Sequence, residues 1–251
     1  MTLVSAAPVL VSAIGGYLLG SVPVAVLVGR AHGLDPREAG DRNPGFWNMM
    51  EQLGRRAAVP VFAGDLLKGT LAGLVGLAAG GGETGPLGTV TGASVAPVYA
   101  AVGAAMIGHA WPVFAGLRGG RSILAFAGGF AVICPPAFVL GLAVLAGTGL
   151  ALRSFAWGAR AAVFSLPALQ LLFAPAEHVA CTGALMCLIG LRFGQAALAG
   201  RRASRPRASR PRASRPGAER HPAGRRGARC RRGPHHRVPH RRVRARRVRA
   251  R

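Results

Sequence analysis

Residues 122–152 read SILAFAGGFAVICPPAFVLGLAVLAGTGLAL, a run without a single charge, and how this run divides decides how the whole chain is threaded. A helix crossing a hydrocarbon core about 30 Å thick needs roughly 20 apolar residues. The run is therefore long for one crossing and short for two. Cys134-Pro135-Pro136 falls near its middle. Proline removes a backbone donor and restricts the residue before it, so a break or reversal is expected there. The first half, 122–133, is short for a full crossing and reads as the re-entrant or spanning arm of a hairpin.

Outward from this run lie further apolar segments at 3–29, 57–80, within 87–117, at about 155–174 and at 178–191. Short cytoplasmic loops collect arginine and lysine. Arg30, Arg37, Arg42, Arg55 and Arg56 follow the first segment, Arg118 and Arg121 precede the hairpin, and Arg153 with Arg160 follow it. The connections around Glu83 and Glu177 hold no basic residue. If 122–152 leaves and returns on one side, every basic loop faces the cytoplasm. The expected fold is all-α: a polytopic integral membrane protein of about seven transmembrane or re-entrant helices. Its N-terminus is expected outside and its C-terminus in the cytoplasm, with multiple passes through the cell (inner or plasma) membrane. The first apolar run lacks a positively charged region before it, so it is expected to stay as a span and not to be cleaved.

The composition divides the chain in two. Of 251 residues, 51% are hydrophobic, yet the formal charge is +24. Residues 1–200 hold 11 basic and 7 acidic residues; residues 201–251 hold 21 arginines and one acid, Glu219. The expected domains are a membrane-embedded 1–200 and an arginine-rich tail at 201–251, where R-A-S-R-P repeats three times across 202–216. Such a tail cannot bury a core and is expected to be disordered. Its charge permits attraction to anionic lipid or nonspecific binding of nucleic acid, and no specific nucleic-acid partner is predicted. A shifted reading frame through GC-rich codons gives the same composition. The four cysteines form no C-x-x-C pair, so neither a metal site nor a disulfide framework is indicated.

Three elements carry chemistry. The loop from Gly33 to Asn48 contains Gly40, Arg42, Asn43, Gly45 and Asn48. Its glycines let backbone N–H groups approach a ligand, and its arginines suit an anionic oxygen cluster such as phosphate. An ordered loop with surface ion pairs explains the same composition. Gly108-His109 is followed by Arg118-Gly119-Gly120-Arg121 at the head of the hairpin. Two guanidinium groups, free amides and a positive helix end there suit phosphate, while snorkelling arginines are the plainer explanation. His109 is expected about two turns inside its span, where an ionisable group is a functional candidate. Asp65 and Lys68, at i and i+3, can pair on one helical face, as a structural ion pair or beside a substrate.

Together these stretches resemble the bacterial acyl-phosphate glycerol-3-phosphate acyltransferases, the small integral-membrane PlsY type, of which the chain looks like a divergent member. Tyr17-Leu18-Leu19-Gly20-Ser21-Val22-Pro23 is similar to that family's opening Y-L-L-G-S-I-P. Gly40, Asn43, Gly45, Asn48 and Gly54 fit its glycine-rich loop, and Asp65, Lys68 and Gly69 fit its D-x-x-K-G. Gly108-His109, Pro112, Phe114 and Arg118 to Arg121 fit its G-H-x-x-P-x-F-x-x-F-K-G-G-K. The resemblance covers about residues 14–200 in order. It implies seven spans and transfer of a fatty acyl group from acyl-phosphate to glycerol 3-phosphate, giving lysophosphatidate for phospholipid synthesis. No metal or other cofactor is implied, and the partners are the two substrates and membrane lipids. It further implies catalytic roles for His109, Arg118 and Arg121 and phosphate contacts at Gly40, Arg42, Asn43, Gly45, Asn48, Gly119 and Gly120. Asp65 and Lys68 would support them.

The chain departs from that pattern at several places. Asp41 stands for the family's serine, Arg42 for glycine, Phe46-Trp47 for Ala-Thr and Glu51 for arginine. Arg118 and Arg121 replace lysines, Ser122 a glycine, Ala156 a serine, and Phe193 and Ala196 the late His and Asn. One charge beside a phosphate at 4 Å is worth about 4 kcal/mol at an effective dielectric of 20, so Glu51 is a serious change if it faces the ligand. Two other readings are compatible with these departures: a catalytically silent membrane relative with a scaffolding or regulatory role, and a tether acting through the basic tail.

Overall fold

Pro23 and Pro135 punctuate the apolar sequence in the computed structural model, which describes residues 6–203. The arginine-rich tail beyond Ala203 lies outside the described residues. The helices are α1 (Ala6–Gly20), α2 (Val24–Ala31), α3 (Phe46–Leu53), α4 (Arg55–Ala79), α5 (Val95–Ala110), α6 (Ile123–Ile133), α7 (Pro135–Ala151), α8 (Phe155–Gln170) and α9 (Ala176–Ala203). Among the described residues the β structure is limited to an isolated bridge between Thr84 and Val90. Four stretches, 6–31, 55–79, 92–115 and 176–201, are long and apolar enough to cross a membrane, while α6 and α7 are shorter apolar helices.

The expected first segment, 3–29, is not one helix. It breaks between Gly20 and Val24, because Pro23 has no N–H to continue the ladder. The carbonyl of Val22, which also accepts from Val24 N at 3.0 Å, accepts a hydrogen bond from Lys68 Nζ at 3.2 Å. The break therefore supplies a polar ligand at depth.

Small residues set the helix contacts. A Cβ at Gly16 or Gly20 would strike the backbone of Ala101 or Ala105, and one at Gly69 or Gly128 would strike Ala125 or Leu66. Without a hydrophobic driving force between helices in lipid, such close backbone approach provides the packing. The same contacts give the directions. Positions 16 and 20 meet 101 and 105, so α1 and α5 run parallel. Gly76 meets Val98 and Gly80 meets Ser94, so α4 is antiparallel to α5. Gly69 meets Ala125 and Gly73 meets Val132, so α6 runs with α4.

The run 122–152 reverses at its prolines. Ser122 Oγ donates to Met106 O at 2.7 Å, and at the other end Val90 N donates to Ile133 O at 3.0 Å. The short α6 thus travels the length of α5. After Cys134, α7 turns back and packs antiparallel to α8, with Gly141 against Leu166 and Gly158 against Leu145 and Gly149. Phe126, Phe130, Met106, Val102 and Ile133 are fully buried along this seam. At the same end as Val90, Tyr99, Gln170 and Thr182 close a polar ring that joins α5, α8 and α9. Gln170 Nε2 donates to Tyr99 Oη at 2.9 Å, Thr182 Oγ1 donates to Gln170 Oε1 at 2.7 Å, and Tyr99 Oη donates to His178 O at 2.8 Å. Buried polar groups satisfied in this way fix a register that apolar packing alone leaves loose.

Candidate functional site

At the opposite end of α5, the loops 32–54 and 111–122 are tied to each other and to the helices. Asp35 binds the Arg37 guanidinium at 2.6 Å, and Arg37 Nη1 donates to Ala115 O at 3.1 Å. The hydrogen-bonded Arg37 side chain holds the Asp35 carboxyl at about 2, below its ordinary 3.8. Tyr17 Oη donates to Trp111 O at 3.1 Å. Asn48 is buried under its loop and donates through Nδ2 to Pro36 O and Ala39 O. Gly40 adopts φ 59° and Asn48 packs against it, where a Cβ would collide.

Two recesses result. The inner one is a cleft at the α1–α2 break, lined by Asp65, Lys68, His109, Arg118, Gly119 and Gly120 together with Gly20, residues 22–26, Pro44 and Pro112. Asp65 is 1% exposed, Lys68 5% and His109 7%. Asp65 Oδ1 lies 2.9 Å from Lys68 Nζ and 3.6 Å from His109 Nδ1. The first is an ion pair at contact distance, although its alignment falls outside the hydrogen-bond range, since Oδ1 has no hydrogen-bond partner. Nearby, buried Ser21 Oγ also lacks one. His109 lies six residues from the end of the apolar stretch 92–115, close to the two turns that the sequence suggested. It occupies the last turn of α5, because the helix stops at Ala110 before Pro112. It is buried there nonetheless, with Nδ1 toward Asp65 and Nε2 toward Gly120.

The outer recess, about 280 Å³, is open and lined by Asp41, Arg42, Asn43, Gly119, Arg121, Arg192, Gln195, Ala196 and Ala199. Asp41 Oδ2 pairs with Arg121 Nη1 at 2.9 Å, and Asp41 Oδ1 accepts from Asn43 N at 3.0 Å. Arg121 lies over the Phe193 ring at 4.7 Å, and its buried Nε has no partner. The side chains of Arg42 and Arg118 are exposed and form no ion pair or hydrogen bond with another described residue.

The expectation of free amides at the glycine turn is corrected. Gly119 N donates to Ala110 O at 3.2 Å and Gly120 N to His109 O at 3.0 Å. The last carbonyls of a helix need donors, and the turn supplies them to α5. Arg192 caps the turn from the other side, giving Nη2 to Gly119 O at 3.0 Å and Nε to Gly120 O at 3.1 Å. Guanidinium and ammonium groups, not these two amides, are therefore what the turn offers an anion. Arg192 is a neighbour of the turn that the sequence did not place there. Its signal was isolation: it is the one basic residue between 161 and 200. Gly40, Gly45 and Asn48 line neither recess; they shape the loop. Glu51 is exposed and lines neither recess as well, so it does not confront a ligand there. No group of three or more metal-ligating side chains occurs among the described residues.

Residues 10–197 match the family model for glycerol-3-phosphate acyltransferase. The chain belongs to the glycerol-3-phosphate acyltransferase family. It is 42% identical to the glycerol-3-phosphate acyltransferase of Rubrobacter xylanophilus over 48% of this chain and 55% of that one. It is 38% identical to the Exiguobacterium sibiricum protein of the same name, over 51% of this chain and 56% of that one. With glycerol-3-phosphate acyltransferase 3 of Dehalococcoides mccartyi, identity is 40% over 57% and 68%. The chain thus spans little more than half the length of the first two relatives. Among solved structures, it is similar to PlsY, an integral membrane glycerol 3-phosphate acyltransferase in its glycerol 3-phosphate form. The TM-score is 0.63 at 25% identity, covering 77% of this chain and 93% of that one. The lysophosphatidic acid form gives 0.61 at 24% identity and supports the fold alone. This glycerol-3-phosphate acyltransferase family member is a membrane protein with an all-helical core.

Several departures from the family pattern meet one another in space. Asp41, Arg121 and Phe193 form one contiguous stack at the outer recess. Trp47 stacks on Phe155 at 6.2 Å with ring planes 4° apart, and Phe46 packs edgewise on both.

Proposed function

We propose that the protein transfers a fatty acyl group from acyl-phosphate to the 1-hydroxyl of glycerol 3-phosphate, giving lysophosphatidate and inorganic phosphate. The observation that carries this reading is the convergence of Asp65, Lys68 and His109 on the same cleft as Arg118 and the Gly119–Gly120 turn, with family membership behind it. The acyl-phosphate would put its phosphate beside Lys68 and Arg118, with its chain between helices. Glycerol 3-phosphate would enter from the outer recess, its phosphate met by Arg42 and Arg121. The bond formed is from the glycerol oxygen to the acyl carbon; the bond broken is from that carbon to the phosphate oxygen. His109 Nε2 would take the hydroxyl proton, and Asp65 beside Nδ1 would steady the imidazolium. A positioned base of this kind contributes typically ~10²–10⁴-fold, and holding two phosphates near each other contributes through orientation and charge neutralisation. Neither a metal nor coenzyme A enters the scheme.

Purified protein given palmitoyl phosphate and labelled glycerol 3-phosphate should form lysophosphatidate, and palmitoyl-coenzyme A should not replace the donor. Product from the thioester alone would overturn the donor assignment. The same reading puts seven apolar segments across the cell membrane, N-terminus out. In a background free of native cysteines, Glu83→Cys and Ala176→Cys should label from outside intact cells, and Arg42→Cys and Trp157→Cys should not. External labelling at 157 would remove the seven-segment arrangement.

A further inference from the structure

Asp41 sits where the proposed function seats a phosphate, and it uses the donors a phosphate would use. One carboxylate oxygen takes a backbone N–H, from Asn43 at 3.0 Å; the other forms an ion pair with the guanidinium of Arg121 at 2.9 Å. A phosphate in a glycine-rich loop is held by these two kinds of donor. Around this carboxylate, the recess gathers Arg42, Arg121 and Arg192, so cations outnumber acids three to one on its lining. Asp41 is 38% exposed at its side chain and Arg121 25%, so solvent reaches the pair. Exposed ion pairs are weak, and a phosphate dianion carries more charge than one carboxylate.

We propose that Asp41 is an internal anion that competes for the outer phosphate seat and sets its affinity for the water-soluble phosphate substrate. This rests on the reading of the outer recess as a phosphate seat. Glycerol 3-phosphate must displace the carboxylate from Arg121 before binding, so Asp41 raises the concentration needed to fill the site. It also discriminates. A monoanionic ligand gains nothing over the carboxylate already present, whereas a dianionic phosphate does. Phe193 keeps Arg121 in register during the exchange, because the ring holds the guanidinium face while Nη1 changes partner.

The test is calorimetric binding of glycerol 3-phosphate to the full chain in detergent, which needs no turnover. Asp41→Asn keeps an oxygen for the Asn43 amide and removes the charge. It should bind glycerol 3-phosphate about two- to fivefold tighter than the natural sequence, the scale of one exposed charge contact. Inorganic phosphate should gain similarly, and acetate, held off by the carboxylate in the natural sequence, should gain as well once that charge is gone. Arg121→Ala should lose most of the binding, and adding Asp41→Asn to it should restore none. Unchanged or weaker binding in Asp41→Asn, with an unchanged melting temperature, would overturn the inference. If Asp41→Asn binds inorganic phosphate tighter but neither protein binds glycerol 3-phosphate, the internal anion stands and the proposed acceptor falls. If neither phosphate binds either protein, both fall.

Discussion

The inner cleft and the outer recess lie on either side of one glycine turn, yet solvent reaches them differently. At the inner cleft, Asp65, Lys68 and His109 are nearly sequestered from solvent. At the outer recess, Asp41 and Arg42 are exposed and Arg121 is partly so. A buried ion pair cannot lose one member without stranding the other, while a solvated rim can exchange partners one contact at a time. Substitution should therefore cost far more at the cleft than at the rim.

The largest effect should come from breaking the inner pair. Asp65→Ala leaves the Lys68 ammonium buried opposite the Val22 carbonyl alone, and should destabilise the protein by about 3–5 kcal/mol. Thermal unfolding in detergent measures this. Asp65→Asn with Lys68→Met should recover much of the loss, since neither residue is then charged. A melting temperature unmoved by Asp65→Ala would erase the contrast between cleft and rim.

A smaller effect is expected where Trp47 meets Phe155 beside the rim. A double-mutant cycle on Trp47→Ala and Phe155→Ala should give a coupling of about 0.5–1.5 kcal/mol, the worth of an aromatic pair. Strict additivity would mean that these two rings are neighbours without being partners.

The smallest effect concerns Asp35. Its carboxyl is held at about 2 by Arg37, below 3.8, so it binds its proton less readily in the folded protein. The stability this contributes is fully present above pH 3.8 and is lost as pH falls through about 2. Asp35→Asn should lower the melting temperature slightly at neutral pH and match the natural sequence below pH 2. Equal melting temperatures across the whole range would remove the loop tie from the account.

Much of the fold was legible because its determinants are local. The hairpin follows from Cys134-Pro135-Pro136, and the Asp65–Lys68 pair follows from helical spacing. The break at Pro23 was legible too, but the charge-free run around it suggested a single span. The site was less legible because its contacts are distant in sequence. Nothing local to Asp41 or Arg121 indicates that they meet across 80 positions, or that Phe193 lies beneath them. The glycine turn looked like a set of free amides, since sequence does not reveal that α5 ends at Ala110 and takes those amides for its own carbonyls.

Steady-state kinetics on two variants tests the central claim, that the inner cleft performs proton transfer while the outer recess binds phosphate. His109→Gln should lower kcat about 10²–10⁴-fold with little change in the KM for glycerol 3-phosphate. Arg121→Ala should chiefly raise that KM. An unchanged kcat in His109→Gln, or a fall in kcat confined to Arg121→Ala, would contradict the division of labour.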